Sequence, residues 1–583
     1  MPPAATRADA AEPASSEPTL RGEARRAVER AWARAIQAGA LPELADPTEA
    51  PGVLIERPGN PEHGDAATNL AMKLARPYRR APLEIARAIA DELAREAAES
   101  PGTTPVGSVE VAAPGFVNMR YADRALEAAV ERILRAPEGW GQVPARSPRT
   151  FNVEFVSANP TGPLTLGNAR GAFVGDLLCR VLAAAGNRVT REYYFNDSGS
   201  QVLKLGASVI ALRRGGPVAE DGYHGDYVSE LAAAVPAEVW DAANAPDADA
   251  TGIVGGWASE QVRAGIEASL DHLGVRFDVW KTERSLHDEG WVERAVERLR
   301  AGGHIFEQDG ATWFRSTAFG DDKDRVIVRS NGEPTYFASD IGYLTEKFGR
   351  GFDELIYIWG QDHHGTVARV RNAAQAMGYD KAAVRMLLVA WVRFVRDGQD
   401  ISMSKRAGTF ITLDELLAEI GVDAARWFFA SRAPSSGIDF DIELAKKQSS
   451  ENPVYYVQYA HARIASILRK GAEAGLLPAG SVAGALGGAS GGASGGASEA
   501  TLVRQIIRLP EVVEDAAAVE EAQGVTAYAT ELATTFHAFY RDAKVVDPAD
   551  PARSAARLAL VAATKVTLAN ALGLLGISAP EQM

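Results

Sequence analysis

The sequence has few of the features that mark secreted, membrane or metal-binding proteins. Its 583 residues include one cysteine, Cys179, so we expect no disulfides and a cytoplasmic protein. It contains no run of eighteen apolar residues, so we expect no membrane span. Cys-x-x-Cys and His-Glu-x-x-His patterns are both missing, which argues against a zinc site. Residues 1–19 lack the apolar core of a signal peptide and are typical of a disordered leader.

An overall positive charge is also missing. The formal net charge is −15, whereas neutralisation of phosphates supplies much of the affinity of proteins for nucleic acid. A local basic face can nevertheless lie on an acidic body. Arg76, Arg79 and Arg80 around Tyr78 form one candidate face, and a solvated helix surface is the alternative explanation for this cluster.

The chain is too long for a single hydrophobic core. Strand and helix patterns alternate over residues 146–435, which predicts an α/β domain with a doubly wound parallel sheet, interrupted by an insertion at about 210–330. Residues 20–145 predict a small α/β domain. Residues 436–583 have helical periodicity and predict an α-helical bundle, interrupted by a flexible Gly/Ala/Ser linker at 487–498.

Residues 151–171 are the most informative stretch of the sequence. Residues 151–157 alternate and are rich in β-branched and aromatic side chains, which predicts a strand. Prolines and glycines at 160–163 break regular structure, and residues 167–171 lead into an apolar helical run. A strand, a tight turn and a helix N-terminus place several backbone N–H groups together, which favours phosphate binding. An ordinary packed α/β connection is the alternative.

The same stretch resembles a known nucleotide-binding signature. Residues 157–164 are SANPTGPL, and an x-x-Gly-x tetrapeptide follows at 165–168. This pattern resembles the signature of class I aminoacyl-tRNA synthetases, in the form found in arginyl-tRNA synthetases. That family usually has His-x-Gly-His at the tetrapeptide, whereas this chain has Thr165 and Asn168. The resemblance implies catalytic roles for both residues, as neutral donors to the α-phosphate that are roughly half as strong as charged ones.

A second motif lies far downstream in a glycine-bounded segment. Met403, Ser404, Lys405 and Arg406 resemble the Lys-Met-Ser-Lys-Ser motif of the same class, with Ser402 in place of the first lysine. Alone, this segment is better explained by a surface loop. The resemblance implies that Lys405 and Arg406 place positive charge on the β- and γ-phosphates of ATP as pyrophosphate leaves, and that Met403 and Ser404 contact ATP.

The resemblance further implies ATP and Mg²⁺ as cofactors. Outside the second motif, the ATP site that it implies contains Pro163, Leu164, Gly167, Gly360, Asp362 and His364. The adjacent His363 and His364 also suggest a metal site at first sight. Neighbouring side chains on a strand point to opposite faces, however, so we expect no protein metal ligands here.

Acidic and aromatic residues suited to a guanidinium group form a third feature. Such a group needs carboxylates placed for paired hydrogen bonds and a flat surface for its stem. By the resemblance, the arginine site contains Glu154, Asn159, Tyr336, Asp340 and Gln361. Judged from spacing alone, Glu154 is equally explained by a salt bridge at the edge of the sheet.

Both ends of the chain resemble tRNA-contacting domains of this family. At the N-terminal end, the resemblance implies RNA contacts by Arg76, Tyr78, Arg79 and Arg80. The C-terminal helices should hold the anticodon, and aromatic side chains can stack on its unpaired bases. The stacking candidates are Tyr455 and Tyr459, with packing in the helical core as the alternative.

From about Leu20 to its C-terminus, the sequence is identified as a member of the arginyl-tRNA synthetase family. This implies an arginine–tRNA ligase that acts on L-arginine and tRNA(Arg), with no membrane partner, and we expect a monomer. One alternative is a catalytically degenerate paralogue that binds tRNA or a nucleotide, suggested by Thr165 and Asn168. The others are a small-molecule nucleotidyltransferase and a binding module built on the helical bundle, which leaves the two motifs unexplained.

Overall fold

The computed structural model describes residues 19–99, 104–145, 147–197, 199–401, 412–482 and 496–583. The expected leader up to residue 18 lies outside these ranges, as do Met403, Ser404, Lys405 and Arg406. The predicted linker falls almost entirely outside them as well. Its last three residues are described, and they form the first turn of a helix, so the prediction of a linker extending to residue 498 is wrong.

The N-terminal part is a small α/β unit. Three strands form an antiparallel sheet in which the third lies between the other two. Five residues that the sequence spacing places on a buried helix face, Leu70, Leu74, Ile85, Ile89 and Leu93, are at most 1% exposed. The elements are α1 (Leu20–Gln37), β1 (Ala66–Thr68), α2 (Leu70–Tyr78), α3 (Pro82–Glu99), β2 (Val106–Ala112), β3 (Phe116–Tyr121) and α4 (Asp123–Arg135).

The α/β region that the resemblance leads us to expect to be catalytic follows. Its first half contains β4 (Thr150–Glu154), α5 (Leu166–Ala184), β5 (Arg188–Phe195), α6 (Ser200–Arg213), α7 (Asp226–Ala234), α8 (Ala237–Ala243), α9 (Ala250–His272), β6 (Val279–Thr282), α10 (Glu283–Asp288), α11 (Trp291–Ala301), β7 (Ile305–Gln308), β8 (Ala311–Phe314), β9 (Arg325–Val328) and α12 (Tyr336–Gly349). Its second half contains β10 (Glu354–Gly360), α13 (His364–Ala376), β11 (Val384–Val389), β12 (Val392–Arg396), β13 (Gln399–Asp400), α14 (Leu413–Ile420), α15 (Val422–Ala430), β14 (Ile438–Asp441) and α16 (Ile442–Lys446).

Five parallel strands form the central sheet, in the order β11-β10-β4-β5-β6. The chain winds outward from β4 through β5 to β6, and then returns to add β10 and β11 on the other side of β4. The direction of winding therefore reverses between β4 and β10. The carboxyl ends of the strands on either side of such a reversal leave a crevice where ligands bind.

The sheet corrects two expectations from the sequence. The prediction of one continuous insertion at about 210–330 is wrong, because β6 lies inside that range and pairs with β5 in the central sheet. Helices α6–α9 precede β6, and a separate antiparallel sheet, β7-β8-β9, follows it. The second expectation concerns residues 386–395, whose apolar sequence predicts a single strand, and this prediction is also wrong. These residues divide into β11 and β12, which belong to different sheets.

The C-terminal part is a helical bundle, as the periodicity predicts. Its helices are α17 (Pro453–Glu473), α18 (Gly496–Ile506), α19 (Leu509–Val519), α20 (Gln523–Asp542) and α21 (Pro551–Leu574). By length and hydropathy α21 could cross a membrane, but 67% of its most apolar stretch is buried inside the protein. Its apolar side chains, such as Leu560 and Leu568, fill the core of the bundle.

A buried arginine joins the bundle to the catalytic region. Arg426 on α15 is 1% exposed, and its Nη1 lies 2.8 Å from Asp176 Oδ2 on α5. The same guanidinium donates to the carbonyl of Leu273, after α9, and to that of Leu575, after α21. A Cβ at Gly576 would lie 2.3 Å from Arg426 Nη1, so only glycine fits there. One side chain thus connects α5, α9, α15 and α21.

We expect Arg426→Met to destabilise this junction. The substitution leaves two buried carbonyls without donors and removes one partner of a buried ion pair, which together should lower the free energy of unfolding by about 3 kcal/mol. Calorimetric unfolding would measure the change. Arg276→Met is the matched control, because Arg276 is 83% exposed in its pair with Asp271. Equal transitions for the two variants would contradict the role assigned to Arg426.

Candidate active site

A cleft of about 2160 Å³ opens at the point where the sheet reverses its winding. Its walls come from the connection after β4, the segment 201–227, the end of β10, and the residues around β12. The sequence-predicted residues that line it are Asn159, Pro163, Thr165, Gly167, Asn168, Gly360, Gln361 and Asp362. The doubly wound sheet therefore brings together residues that lie two hundred positions apart in the sequence.

A strained turn carries the chain from β4 into the cleft. Val156 and Ser157 have φ values of +66° and +39°, a left-handed conformation that is unusual for any residue except glycine and most unusual for a β-branched one. Ser157 Oγ compensates by accepting from the Tyr194 N–H at 3.0 Å and donating to Glu154 Oε1 at 3.1 Å. These contacts fix the direction in which the connection leaves the strand.

Thr165 and Asn168 form a linked pair at the N-terminus of α5. The Thr165 N–H donates to Asn168 Oδ1 at 3.1 Å, and the Thr165 hydroxyl donates to the same oxygen at 3.0 Å. Since a backbone N–H can only donate, the amide oxygen of Asn168 must face Thr165, and Nδ2 remains to donate elsewhere. The expectation that Thr165 donates to phosphate is therefore corrected: its hydroxyl hydrogen is directed to Asn168.

The segment with Lys405 and Arg406 is flanked by residues of the cleft. Ile401, on its N-terminal side, lines the cleft. On its C-terminal side, Thr412 forms an antiparallel bridge with Thr165, and the Leu413 N–H donates to the Leu164 carbonyl at 3.2 Å. The residue before the segment thus lines the cleft, and the residues after it contact the turn that carries the first motif.

Two predicted ATP contacts do not reach the cleft with their side chains. Leu164 is 2% exposed, so its side chain belongs to the core and only its backbone borders the motif. His364 is the first residue of α13 and is not part of the cleft lining, in contrast to Gln361 and Asp362 just before it. We therefore withdraw the side chains of Leu164 and His364 from the ATP site.

An acidic recess, formed by Asp340, Glu283 and Asp197, lies at the ends of β5 and β6. Asp340 projects from α12, and Glu283 is the first residue of α10. Water reaches the Asp340 carboxyl, but the protein encloses it on most sides. This enclosure, together with the charges of Glu154 and Glu283, raises the pKa of Asp340 to about 7. Burial likewise raises the pKa of Glu283, against the opposing effects of His287 and Ser339.

Glu283 is a candidate that the sequence interpretation missed. It follows a strand of only four residues, so nothing in the sequence pattern indicates that this strand ends at the site. Glu154, which the sequence predicts as a contact of arginine, is 5% exposed, and its two carboxylate oxygens are bonded to Ser157 and Lys347. These contacts favour the salt-bridge alternative for Glu154 over a direct contact with the substrate. Tyr336, at the start of α12, is 69% exposed.

The residues predicted to contact RNA differ in accessibility. Arg76 and Arg79 are exposed, and Arg80 donates to the carbonyl of Ala40 at 2.8 Å. Tyr78 is 8% exposed and accepts from Trp32 Nε1 at 2.9 Å. Tyr78 is therefore a core residue, and the expectation that it contacts RNA is wrong.

Tyr455 and Tyr459 form a stacked pair on α17. Their ring centroids are 6.4 Å apart with planes 9° from parallel, and Tyr459 is 42% exposed. His537 on α20 lies beside them, 6.3 Å from Tyr459. Burial, together with the nearby charge of Arg463, lowers the pKa of His537, so its ring is neutral at physiological pH. The bundle thus presents a neutral aromatic surface.

Comparison with known families and proteins identifies the chain. Family profiles match it at 25–121 (arginyl tRNA synthetase N terminal domain), at 258–434 (tRNA synthetases class I (R), catalytic domain) and at 457–583 (DALR anticodon binding domain). It is 43% identical to an arginine–tRNA ligase of Bacillus licheniformis, over 93% of this chain and 96% of the relative. The ligase of Geobacillus kaustophilus is 44% identical, over 94% and 97% of the two chains.

The chain belongs to the arginyl-tRNA synthetase family. This membership confirms the family, the fold class and the ligase activity that the sequence analysis expects, and it does not favour a degenerate paralogue. The fold is also that of the arginyl-tRNA synthetase of Thermus thermophilus, with a TM-score of 0.72 over 96% of this chain and all of that one, at 24% identity.

The pairing of Thr165 with Asn168 generates a test of the turn. Asn168→Ala removes the only free side-chain donor of the pair, and we expect it to slow arginyl-adenylate formation about tenfold to hundredfold. Asn168→Asp is the matched variant, because it keeps the acceptor for the Thr165 N–H but replaces the donor with a negative charge. We expect it to fold normally and to be slower still. Pre-steady-state adenylate formation by Asn168→Ala at the wild-type rate would contradict the donor role.

Proposed function

We propose that this protein attaches L-arginine to tRNA(Arg) in two steps. Arginine attacks the α-phosphate of ATP to give arginyl-adenylate and pyrophosphate, and the arginyl group then moves to the 3′-terminal ribose of the tRNA with release of AMP. The bridge between Thr165 and Thr412 carries this proposal, because it joins the first motif to the residue at which the chain is described again after the segment of the second motif. The acidic recess beside that cleft supplies the charge that a guanidinium needs.

We assign the recognition of arginine to the acidic recess and its neighbours. Asp340 and Glu283 receive the guanidinium, and Tyr336 offers a flat, exposed surface for the stem of the side chain. Asn159 and Gln361 line the adjacent cleft, where the α-amino end of the substrate would lie. Glu283 takes the place that the sequence interpretation gives to Glu154.

Binding of ATP is proposed for the turn and the two flanking segments. The backbone of Pro163 and Gly167 and the amide of Asn168 face the cleft at the start of α5, where the helix dipole favours a phosphate. Gly360 and Asp362, at the end of β10, would border the adenosine. The motif residues proposed to contact the triphosphate are Met403, Ser404, Lys405 and Arg406.

We propose that Mg²⁺ enters with the nucleotide. Among the described residues, no three His, Cys, Asp or Glu side chains are grouped so that they could hold a metal ion. Mg²⁺ commonly binds through substrate phosphates and keeps several waters, so a protein cage is not required. The ion would neutralise charge on the leaving pyrophosphate together with Lys405 and Arg406.

Contacts with tRNA are proposed for the two terminal domains. Residues 20–145 present the exposed Arg76 and Arg79 with Arg80, which suit a phosphate backbone. Residues 436–583 present the stacked rings of Tyr455 and Tyr459, which suit unpaired anticodon bases. We further propose a cytoplasmic monomer, since the buried thiol of Cys179 fits a reducing compartment.

The function is tested by exchange of pyrophosphate into ATP, measured with and without tRNA(Arg), followed by charging of the tRNA. We expect exchange that requires arginine and increases when tRNA is present, and formation of arginyl-tRNA. Leucine and lysine serve as matched amino-acid controls, the first neutral and the second a cation without a planar group. Binding of tRNA without any arginine-dependent product would favour the degenerate paralogue instead.

The raised pKa of Asp340 predicts a pH dependence of arginine binding. A carboxyl that titrates near pH 7 is ionised above this pH and protonated below it, so arginine should bind more weakly as the pH falls. We expect KM for arginine to rise about tenfold between pH 8 and pH 6, with little change in KM for ATP. Asp340→Asn should raise KM for arginine about a hundredfold and abolish the pH dependence. A persisting pH dependence in this variant would assign the titration to another group.

A further inference from the structure

A buried lysine lies under the acidic recess. Tyr336, Asp340, Tyr343 and Lys347 are spaced by four, three and four residues, so they share one face of α12. This face contacts the central sheet, because Lys347 bonds to Glu154 and Tyr343 bonds to Glu192. Lys347 is 0% exposed, although lysine is rarely buried unless it is paired. Burial of a charge in the core needs a specific reason, and the sheet below supplies one.

Two carboxylates lie side by side in that sheet. Glu154 on β4 is the register partner of Glu192 on β5, and both are buried. Like charges directly opposite each other on neighbouring strands destabilise a sheet unless cations separate them. Tyr357 on β10 is the partner of Glu154 on its other side. The row Glu192, Glu154 and Tyr357 therefore forms the floor beneath α12.

Lys347 inserts into this row. Its Nζ lies 2.6 Å from Glu154 Oε2 and 4.0 Å from Glu192 Oε1. The rings of Tyr343 and Tyr357 enclose the ammonium, with centroids 4.0 and 3.9 Å from Nζ. Such a compact, enclosed site suits an ammonium and leaves it no route to solvent.

Glu192 has other partners, whereas Glu154 depends on Lys347. Arg350 lies 2.6 Å from Glu192 Oε2, and Asn152 Nδ2 donates to the same carboxylate at 2.9 Å, together with the hydroxyl of Tyr343. Burial alone would raise the pKa of Glu192, but the charges of Lys347 and Arg350 and the hydrogen bond from Tyr343 lower this pKa overall. Apart from Lys347, the side chain that bonds to Glu154 is the neutral Ser157.

We propose that Lys347 is a positioning residue for arginine recognition, which holds Glu154 away from the acidic recess. With Glu154 paired to Lys347 from below, the recess offers Asp340 and Glu283 to the guanidinium. Without Lys347, Glu154 is a buried anion with no cationic partner, and it competes with Asp340 and Glu283 for the guanidinium. The inference depends on the proposed arginine site and explains why a carboxylate at the end of β4 is not itself a ligand.

The test compares four variants by arginine-dependent pyrophosphate exchange in the presence of tRNA. We expect Lys347→Met to raise KM for arginine about tenfold or more while KM for ATP stays within about twofold. In the double variant Lys347→Met/Glu154→Gln, both charges are gone, and KM for arginine should return to within about threefold of the wild type. Glu154→Gln alone should raise KM only slightly.

Lys281→Met is the matched control. Lys281 on β6 is 12% exposed, and its Nζ lies 3.5 Å from Oε1 of Glu346, which is on α12 like Lys347. No contact between Lys281 and Glu154 is seen among the described residues. This variant removes a cation that contacts α12 and should leave KM for arginine near the wild-type value. An equal rise in KM for Lys281→Met and Lys347→Met would show a general loss of helix packing and would overturn the proposal.

Two other results would overturn it. One is a normal KM for arginine in folded Lys347→Met. The other is a large rise in KM for arginine in Glu154→Gln that persists in the double variant, because this would mean that Glu154 contacts the substrate directly. If Lys347→Met does not fold, the Glu154→Gln and double variants decide between these outcomes. If wild-type protein shows no arginine-dependent exchange, the proposed function fails, which is a result distinct from any change among the variants.

Discussion

The contact between helix α5 and the end of strand β4 fixes the geometry of the whole site. Gly175 on α5 lies against the ring of Phe155, and a Cβ at this glycine would be only 2.2 Å from that ring. The helix can therefore pack directly on the end of the strand. Its N-terminus, with Asn168, lies where the direction of winding reverses between β4 and β10. The left-handed Val156 and Ser157 bend the chain to meet that helix, and the bonds of Ser157 to Glu154 and Tyr194 retain the bend.

The proposed site combines two kinds of electrostatic environment. The cleft has backbone N–H groups and the Asn168 amide, which suit phosphates, whereas the acidic recess has excess negative charge, which suits a cation. Below the acidic recess, Lys347 pairs with Glu154 in the row of buried carboxylates of the sheet. Burial and the charges of Glu154 and Glu283 raise the pKa of Asp340 to about 7, so that a guanidinium bound beside it would favour the ionised carboxylate.

Local patterns in the sequence could predict the elements but not their contacts. Alternation and helical periodicity are properties of neighbouring residues, so β4, α5 and the C-terminal helices follow from them. The four residues of β6 are too few to show a period, so the sequence alone places this strand within the insertion. The expected contact of Glu154 with the substrate has a similar origin. A carboxylate at a strand end gives the same pattern whether or not a lysine 193 residues away is folded over it. The sequence predicts an RNA contact for Tyr78 because three arginines lie near it. The contact with Trp32 that buries Tyr78 comes from a distant part of the chain and cannot be seen in the local sequence.

The helical bundle is part of the frame of the active site rather than an appended module. Gln458 on α17 donates to Asp423 on α15 at 2.7 Å, and Ser578 of the C-terminal segment donates to the same carboxylate. Arg426 continues this connection from α15 to Asp176 on α5, the helix whose first turn carries Asn168. The same buried contacts therefore connect helix α17 to helix α5. The first presents Tyr459, and the second presents the proposed phosphate site. A protein that binds one end of a tRNA while reacting at the other needs such a fixed separation, which a bundle on a loose tether would not provide.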